Sequence, residues 1–206
     1  NHVMVSQRGS DNNSEVDIEV NSNRNIVVVG QAGSVNYSDI EIEDYSSRNT
    51  VGLSQAGSDN YAGVIIYESN GNGVGVSQAG TDNRVSVDIE YDSNRNAVAV
   101  SQGETENSTG ITFDDDSDRN AVGVSQGGTD NVTVIDITDN SNANAIGVSQ
   151  GGTNNRNELF VKYDSNRNAV GLWQGGTDNN AVLYINEYSN ANAVGISQGG
   201  TDNKAF

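Results

Sequence analysis

The chain has 206 residues, 28 acidic against 10 basic, a net charge of −18, 33% apolar and 6% aromatic residues, and neither Cys nor Pro. This balance repels phosphate and argues against nucleic acid as a partner, the missing Cys excludes disulfides and thiolate metal sites, and no apolar run reaches membrane-spanning length. The apolar residues are too few for a bulky core, yet they are mostly Val and Ile at regular intervals, which favours order, and a chain without Pro keeps every ladder donor.

The first element runs from Asn1 to Gln7, with Val3 and Val5 alternating between them, and the chain that begins there without a hydrophobic leader reads as a processed, soluble product. The element recurs along the whole sequence. Its Gln returns as Gln7, Gln31, Gln55, Gln78, Gln102, Gln126, Gln150, Gln174 and Gln198, 24 residues apart except for one gap of 23, and there is no other Gln. Six residues before each stands Asn1, Asn25, Asn49, Asn72, Asn96, Asn120, Asn144, Asn168 or Asn192. A fixed period of this length is the mark of a solenoid.

After each Gln comes a turn, Gly-Gly-Thr-Asp or a close variant, closed five residues on by Asn12, Asn36, Asn60, Asn83, Asn107, Asn131, Asn155, Asn179 or Asn203. A second strand follows, with aliphatic residues nine and eleven positions after Gln, such as Val16 and Ile18, Val87 and Ile89, Ile111 and Phe113, or Leu159 and Val161. An arc such as Asp-Ser-Asn-Arg then leads back, with Ser93, Ser117, Ser141 and Ser165 nine residues before the next Gln. The missing residue of the short repeat falls between Ile66 and Ser69, in a turn, where strand parity is untouched.

One such unit buries about four aliphatic side chains at roughly 1.5 to 3 kcal/mol each, against roughly 1 to 2 kcal/mol of backbone entropy per residue, so it cannot stand alone. Stacked, the units are predicted to form an all-β chain: one cross-β solenoid over 1–206, of about nine strand-turn-strand repeats with parallel, in-register sheets, the last repeat incomplete. The Gln residues and the two sets of Asn then become three ladders, in which each amide donates to one neighbour and accepts from the other. A slipped layer would set these amides against Val, so the ladders also hold the register.

These residues resemble the curlin repeat, the unit of the major subunit of bacterial curli. Gln126, Gly128 and Asn131 fill its Q-x-G-x-x-N core, and Ala62, Ala181 and Ala205 match its Ala position, held elsewhere by Ser, Thr, Val or Asn. Asn120 and its equivalents stand where the leading Ser of that pattern would be, aliphatics such as Ile137 replace its second Gln, Glu104 replaces one Gly, and the repeat is longer. The resemblance implies a secreted subunit that polymerises end to end into extracellular amyloid fibres of a biofilm matrix, serving adhesion. It also implies an outer-membrane secretion pore and a minor nucleator subunit as partners.

Other motifs weigh less. Gly123 to Gly127 matches G-x-S-x-G, but no helix is expected after it and the one His, His2, lies at a terminus, so no enzyme is expected. Asp114 to Asp118 opens like a calcium loop but places Arg119 and Ser125 where Gly and a bidentate Glu are needed; no cofactor is expected, while weak calcium binding at acidic turns stays open. Sequons at Asn12, Asn36, Asn107 and Asn131 point inward and leave no room for a glycan. The outward side of the first strand is small in nearly every repeat, as in Ala121, Gly123 and Ser125, and is a candidate for lateral pairing of two solenoids.

The outward side of the second strand carries Glu15, Asp17 and Glu19, then Asp39, Glu41 and Glu43 one repeat on. Asn1 starts at a ladder position and Phe206 stops partway through a ninth second strand, both without caps, so the chain itself is the expected partner. The rival is a monomeric solenoid acting as an adhesin or ice-binding module, although Thr81, Thr129, Thr153, Thr177 and Thr201 fall in the turn rather than along a flat strand.

Overall fold

The computed structural model describes residues 1–206, which coil into a β-solenoid with nine strands in each of two sheets and no helix. The first sheet contains β1 (His2–Ser10), β3 (Ile26–Ser34), β5 (Thr50–Ser58), β7 (Gly73–Thr81), β9 (Ala97–Gln102), β11 (Ala121–Gln126), β13 (Ala145–Thr153), β15 (Ala169–Thr177) and β17 (Ala193–Thr201). The second contains β2 (Asn13–Ser14), β4 (Tyr37–Ser38), β6 (Tyr61–Ala62), β8 (Arg84–Val85), β10 (Ser108–Thr109), β12 (Val132–Thr138), β14 (Arg156–Lys162), β16 (Asn180–Ile185) and β18 (Lys204–Ala205). Every pairing is parallel, and like residues face like across it: Gln7 lies beside Gln31, and Gln126 beside Gln150. The short repeat keeps register, with Gln55 beside Gln78 and both Ile66 and Ser69 buried.

The two sheets face each other across a single layer of interdigitated side chains. A continuous cluster of 29 buried residues joins pairs such as Val27 and Val29 from the first sheet to Ile40 and Ile42 from the segment that follows β4. That is why a third of the chain suffices as core: each coil needs only its inward aliphatics, and neighbouring coils cover their flanks.

Two boundaries differ from the sequence expectation. The first strand continues past Gln through the Gly-Gly-Thr stretch, so Thr81, Thr153, Thr177 and Thr201 close strands instead of lying in turns. The second Gly of this stretch adopts φ near +100°, as at Gly152 and Gly176, which bends the strand without breaking its ladder. The second strand, in contrast, pairs over only two residues from β2 to β10 and lengthens to six or seven in β12, β14 and β16.

The long strands present Val134, Phe160 and Val182 outward, and Phe160 stacks on Tyr184 at 5.0 Å. The short ones present carboxylates except in the coil of β6, which presents Gly63, Ile65 and Tyr67, and the backbone leaves the extended region at Ile42, Ile65, Ile66, Asp88 and Ile89. Carboxylates one coil apart repel, whereas β-branched and aromatic side chains pack in file, so outward charge weakens the ladder between β2 and β4, while in the coil of β6 the turn of the backbone at Ile65 and Ile66 ends it.

Candidate functional site

The inward amides form the chemical feature that runs the length of the molecule. Each Gln side chain donates from Nε2 to Oε1 of the next, at 2.7 Å from Gln7 to Gln31 and at 2.8 Å from Gln126 to Gln150 and from Gln174 to Gln198. The five remaining steps lie between 2.8 and 3.0 Å, so the column is unbroken from Gln7 to Gln198 and has one polarity. The same nitrogen also reaches backbone carbonyls of the second strand, as Gln126 does at Ser108, 3.0 Å away, which ties the two sheets together.

The Asn column from Asn12 to Asn203 runs with the opposite polarity. Each Nδ2 donates to Oδ1 of the preceding Asn, from Asn36 to Asn12 at 3.0 Å through to Asn203 to Asn179 at 2.8 Å. It also reaches backbone carbonyls in its own coil and the next, as Asn131 does at Gly127 and Gly152. The column from Asn1 to Asn192 departs from the expected amide-to-amide ladder. There each Oδ1 accepts the backbone N–H of the next Asn, at 3.1 Å for Asn25 onto Asn1 and 2.9 Å for Asn192 onto Asn168. Amide meets amide only along Asn120, Asn144, Asn168 and Asn192, while Nδ2 of Asn25 and Asn49 turns to the carbonyls of Ser46 and Ser69. The oxygens of the Asn12 column accept the same backbone N–H, as Asn12 does from Asn36 at 3.1 Å, so the two columns differ in where Nδ2 goes and not in what Oδ1 accepts.

Three further files escaped the sequence reading as bonded ladders. The arc Ser residues from Ser46 to Ser165 are fully buried, and Ser93 accepts the N–H of Ser117 at 3.0 Å while its hydroxyl donates to the Asp114 carbonyl. One position on, Asn70, Asn94 and Asn166 accept the backbone N–H of the preceding coil, as in Asn70 N–H to Asn94 Oδ1 at 2.6 Å. The hydroxyls of Thr109 and Thr133 donate across the core to Oε1 of Gln126 and Gln150 at 2.7 and 2.6 Å. The recurrence of Ser and Asn was readable in the sequence, but which coil each would bond required the coordinates. Asn157, in file with Thr133, is fully buried and neither end of its amide is bonded.

The weaker motifs can now be placed. Ser125 lies exposed in the middle of β11, with β12 rather than a helix next in the chain, and His2 opens β1. No three His, Asp or Glu side chains are gathered as a metal site would gather them, Asp114 to Asp118 included. The sequon residues Asn36, Asn107 and Asn131 are buried, as are Ser38, Thr109 and Thr133. Trp173 stands exposed on the small-residue face of the first sheet, over Gly175.

The acidic face has unusual electrostatics. Glu43 is pushed up from its ordinary 4.5 to about 7, by burial first, then by its bond with Glu41 and the nearby Glu41, Glu19 and Asp44 charges. Burial and then neighbouring carboxylates also raise Asp39 and Glu90, and burial raises Asp88 against the lowering effect of Ser86 and Thr112. These acids hold protons more tightly folded than unfolded, so the folded state takes up protons over that interval. The penalty for ionising them is absent below the unfolded value of 4.5 and grows as pH rises through about 7. Thermal unfolding is therefore expected to occur at higher temperature near about pH 5 than near about pH 8, with a smaller difference in Glu43→Gln; equal midpoints would contradict these shifts.

No protein-family model matches this chain, and no curated protein matches it.

Proposed function

We propose that this chain is the structural subunit of an extracellular, amyloid-like fibre, adding copies end to end by strand stacking in the manner of the curlin subunits its repeat resembles. The observation that carries the reading is the sameness of every step along the axis. The Gln column bonds identically at each coil, and the Asn12-to-Asn203 column does so in reverse. The surface that one coil offers is thus the surface that any further coil accepts, in one orientation only. A secretion pore, a nucleating minor subunit and a role in adhesion within a biofilm matrix follow from the resemblance and belong to the same proposal.

The purified chain is expected to form unbranched filaments with a meridional repeat of about 4.8 Å. Sedimentation and electron microscopy check this, and fibre diffraction reads the spacing. A monodisperse 21.7 kDa species under all conditions would overturn it and favour a monomeric solenoid that binds a surface.

A further inference from the structure

Five of the ten basic residues stand in one file on the corner where the arc meets the first sheet: Arg24, Arg48, Arg95, Arg119 and Arg167. Three things make this file unfavourable as it stands. Each arginine has φ near +60°, as Ala143 and Ala191 in the same file do, in the left-handed region that any L side chain enters at a cost of roughly 1 to 2 kcal/mol, and Gly71 shows that glycine fits the position. Arg24 and Arg48 lie one coil apart, as do Arg95 and Arg119, so like charges face each other along the axis. None of the five makes an ion pair in a chain with 28 acids, although Asp92, Asp116 and Asp164 precede three of them in the same arcs; the two ion pairs present are Arg156–Glu158 and Lys162–Asp136. Residues that break local rules together, with no compensation inside the molecule, point to a contact outside it.

The gaps in the file say what that contact is. Coils whose second strand turns acidic side chains outward with no basic partner carry the arginine: Glu15, Asp17 and Glu19 precede Arg24, and Asp39, Glu41 and Glu43 precede Arg48. Asp88 and Glu90 precede Arg95, and Asp114 precedes Arg119. Where the coil offers Gly63, Ile65 and Tyr67, the file has Gly71. Where its one outward acid, Asp136, is held by Lys162, the file has Ala143; where it offers Val182, Tyr184 and Asn186, the file has Ala191. Arg167 is the exception, since it belongs to the coil of Glu158, which is paired with Arg156 as Asp136 is with Lys162.

We propose that the arginine file is one half of a lateral contact between two parallel copies of this chain, seated on the outward carboxylates of the neighbour's second sheet at the same level along the axis. Both rows have the pitch of the same solenoid, about 4.8 Å per coil, and their gaps coincide at every coil but that of Glu158, so guanidinium forks meet carboxylates coil by coil. A foreign polyanion has a pitch of its own and no reason to lapse where this chain's acids lapse. Because the two patches differ, the contact is heterologous and repeats sideways, joining solenoids into level ribbons. It is independent of end-to-end stacking, since two single subunits would make it.

The test uses the full chain in two variants and their mixture. One replaces Arg24, Arg48, Arg95 and Arg119 with Asn, which tolerates left-handed backbone. The other replaces Glu15, Glu19, Glu41 and Glu43 with Gln. Side-by-side association is read by small-angle scattering and filament width. The wild type is expected to associate laterally at about 0.05 M salt and at least about tenfold more weakly at about 1 M. Each variant alone is expected to be about tenfold weaker at low salt, and the equimolar mixture to recover pairs, since one brings the acids and the other the arginines. The Gln variant has less net charge than the wild type, so simple repulsion would make it associate more, whereas this contact makes it associate less. Circular dichroism verifies folding; should the Asn variant not fold, the Gln variant and the salt response decide. Filaments whose width ignores salt and the Gln substitutions would overturn the contact and leave the fibre reading intact. Salt-sensitive lateral pairs without filaments would do the reverse.

Discussion

Gly152→Ala is expected to destabilise the protein by about 2 to 4 kcal/mol, read as a fall in the denaturant midpoint, while Gly147→Ala, five residues earlier in the same strand, changes stability by under about 1 kcal/mol. Gly152 has φ 97°, and a Cβ built on it would stand 2.1 Å from the Gly176 carbonyl oxygen of the next coil. That oxygen is backbone inside a paired ladder and cannot move aside without breaking bonds on both flanks. Gly147 has no atom within 4 Å of a Cβ, and Ala99 holds the equivalent place in β9.

The chain already contains one departure from the glycine file, at Glu104, and its consequence is visible. There β9 stops at Gln102 and β11 at Gln126, and the first sheet resumes only through single bridges at Thr105 and Thr129. Glu104→Gly is accordingly expected to raise the midpoint and extend the protected amides of these two coils in hydrogen exchange. A neutral Gly152→Ala would show that the ladder can open there as freely as it does around Glu104.

Gln126→Leu is expected to lower stability by about 2 to 5 kcal/mol, although it keeps the volume and adds apolar surface to the core. Gln126 is buried, donates to Gln150 at 2.8 Å, and accepts from Gln102 at 2.8 Å and from the Thr109 hydroxyl at 2.7 Å. Leu would leave the Thr109 hydroxyl and one Gln102 N–H short of their acceptor, and Gln150 short of a donor, in a place water does not reach. Gln7→Leu is the control: Gln7 is exposed on the edge strand, has a single ladder partner in Gln31, and its replacement should fall within about 0.5 kcal/mol. Equal effects at the two positions would mean that the amides act singly and not as a column.

Much of this was legible before any coordinates. The period of the Gln residues, with alternating Val and Ile on either side of a Gly-rich turn, leads to stacked coils because nothing else buries those aliphatics with so few of them. The buried state of Gln126, Asn131 and Val124 follows from strand parity once the solenoid is accepted. Less was legible where one position has several acceptors in reach. Asn25 and Asn131 look alike in sequence, and both oxygens accept a backbone N–H of the next coil, yet Nδ2 of Asn25 goes to the Ser46 carbonyl of the arc while Nδ2 of Asn131 goes to Asn107 in file. The shortness of β2 to β10 was also hidden, since alternation weighs neither the outward charges stacked from β2 to β4 nor the left-handed backbone at residues such as Ile42, Ile65 and Asp88.

By itself, then, the sequence determined the fold class, the register and the identity of the inward columns, because each is a matter of period and parity. Only the tertiary structure decided the direction of each ladder, the extension of the first strand through its glycines, and the meeting of the arginines in one unpaired file. These depend on which atoms of neighbouring coils lie within about 3 Å of one another, a distance that spacing along the chain does not contain.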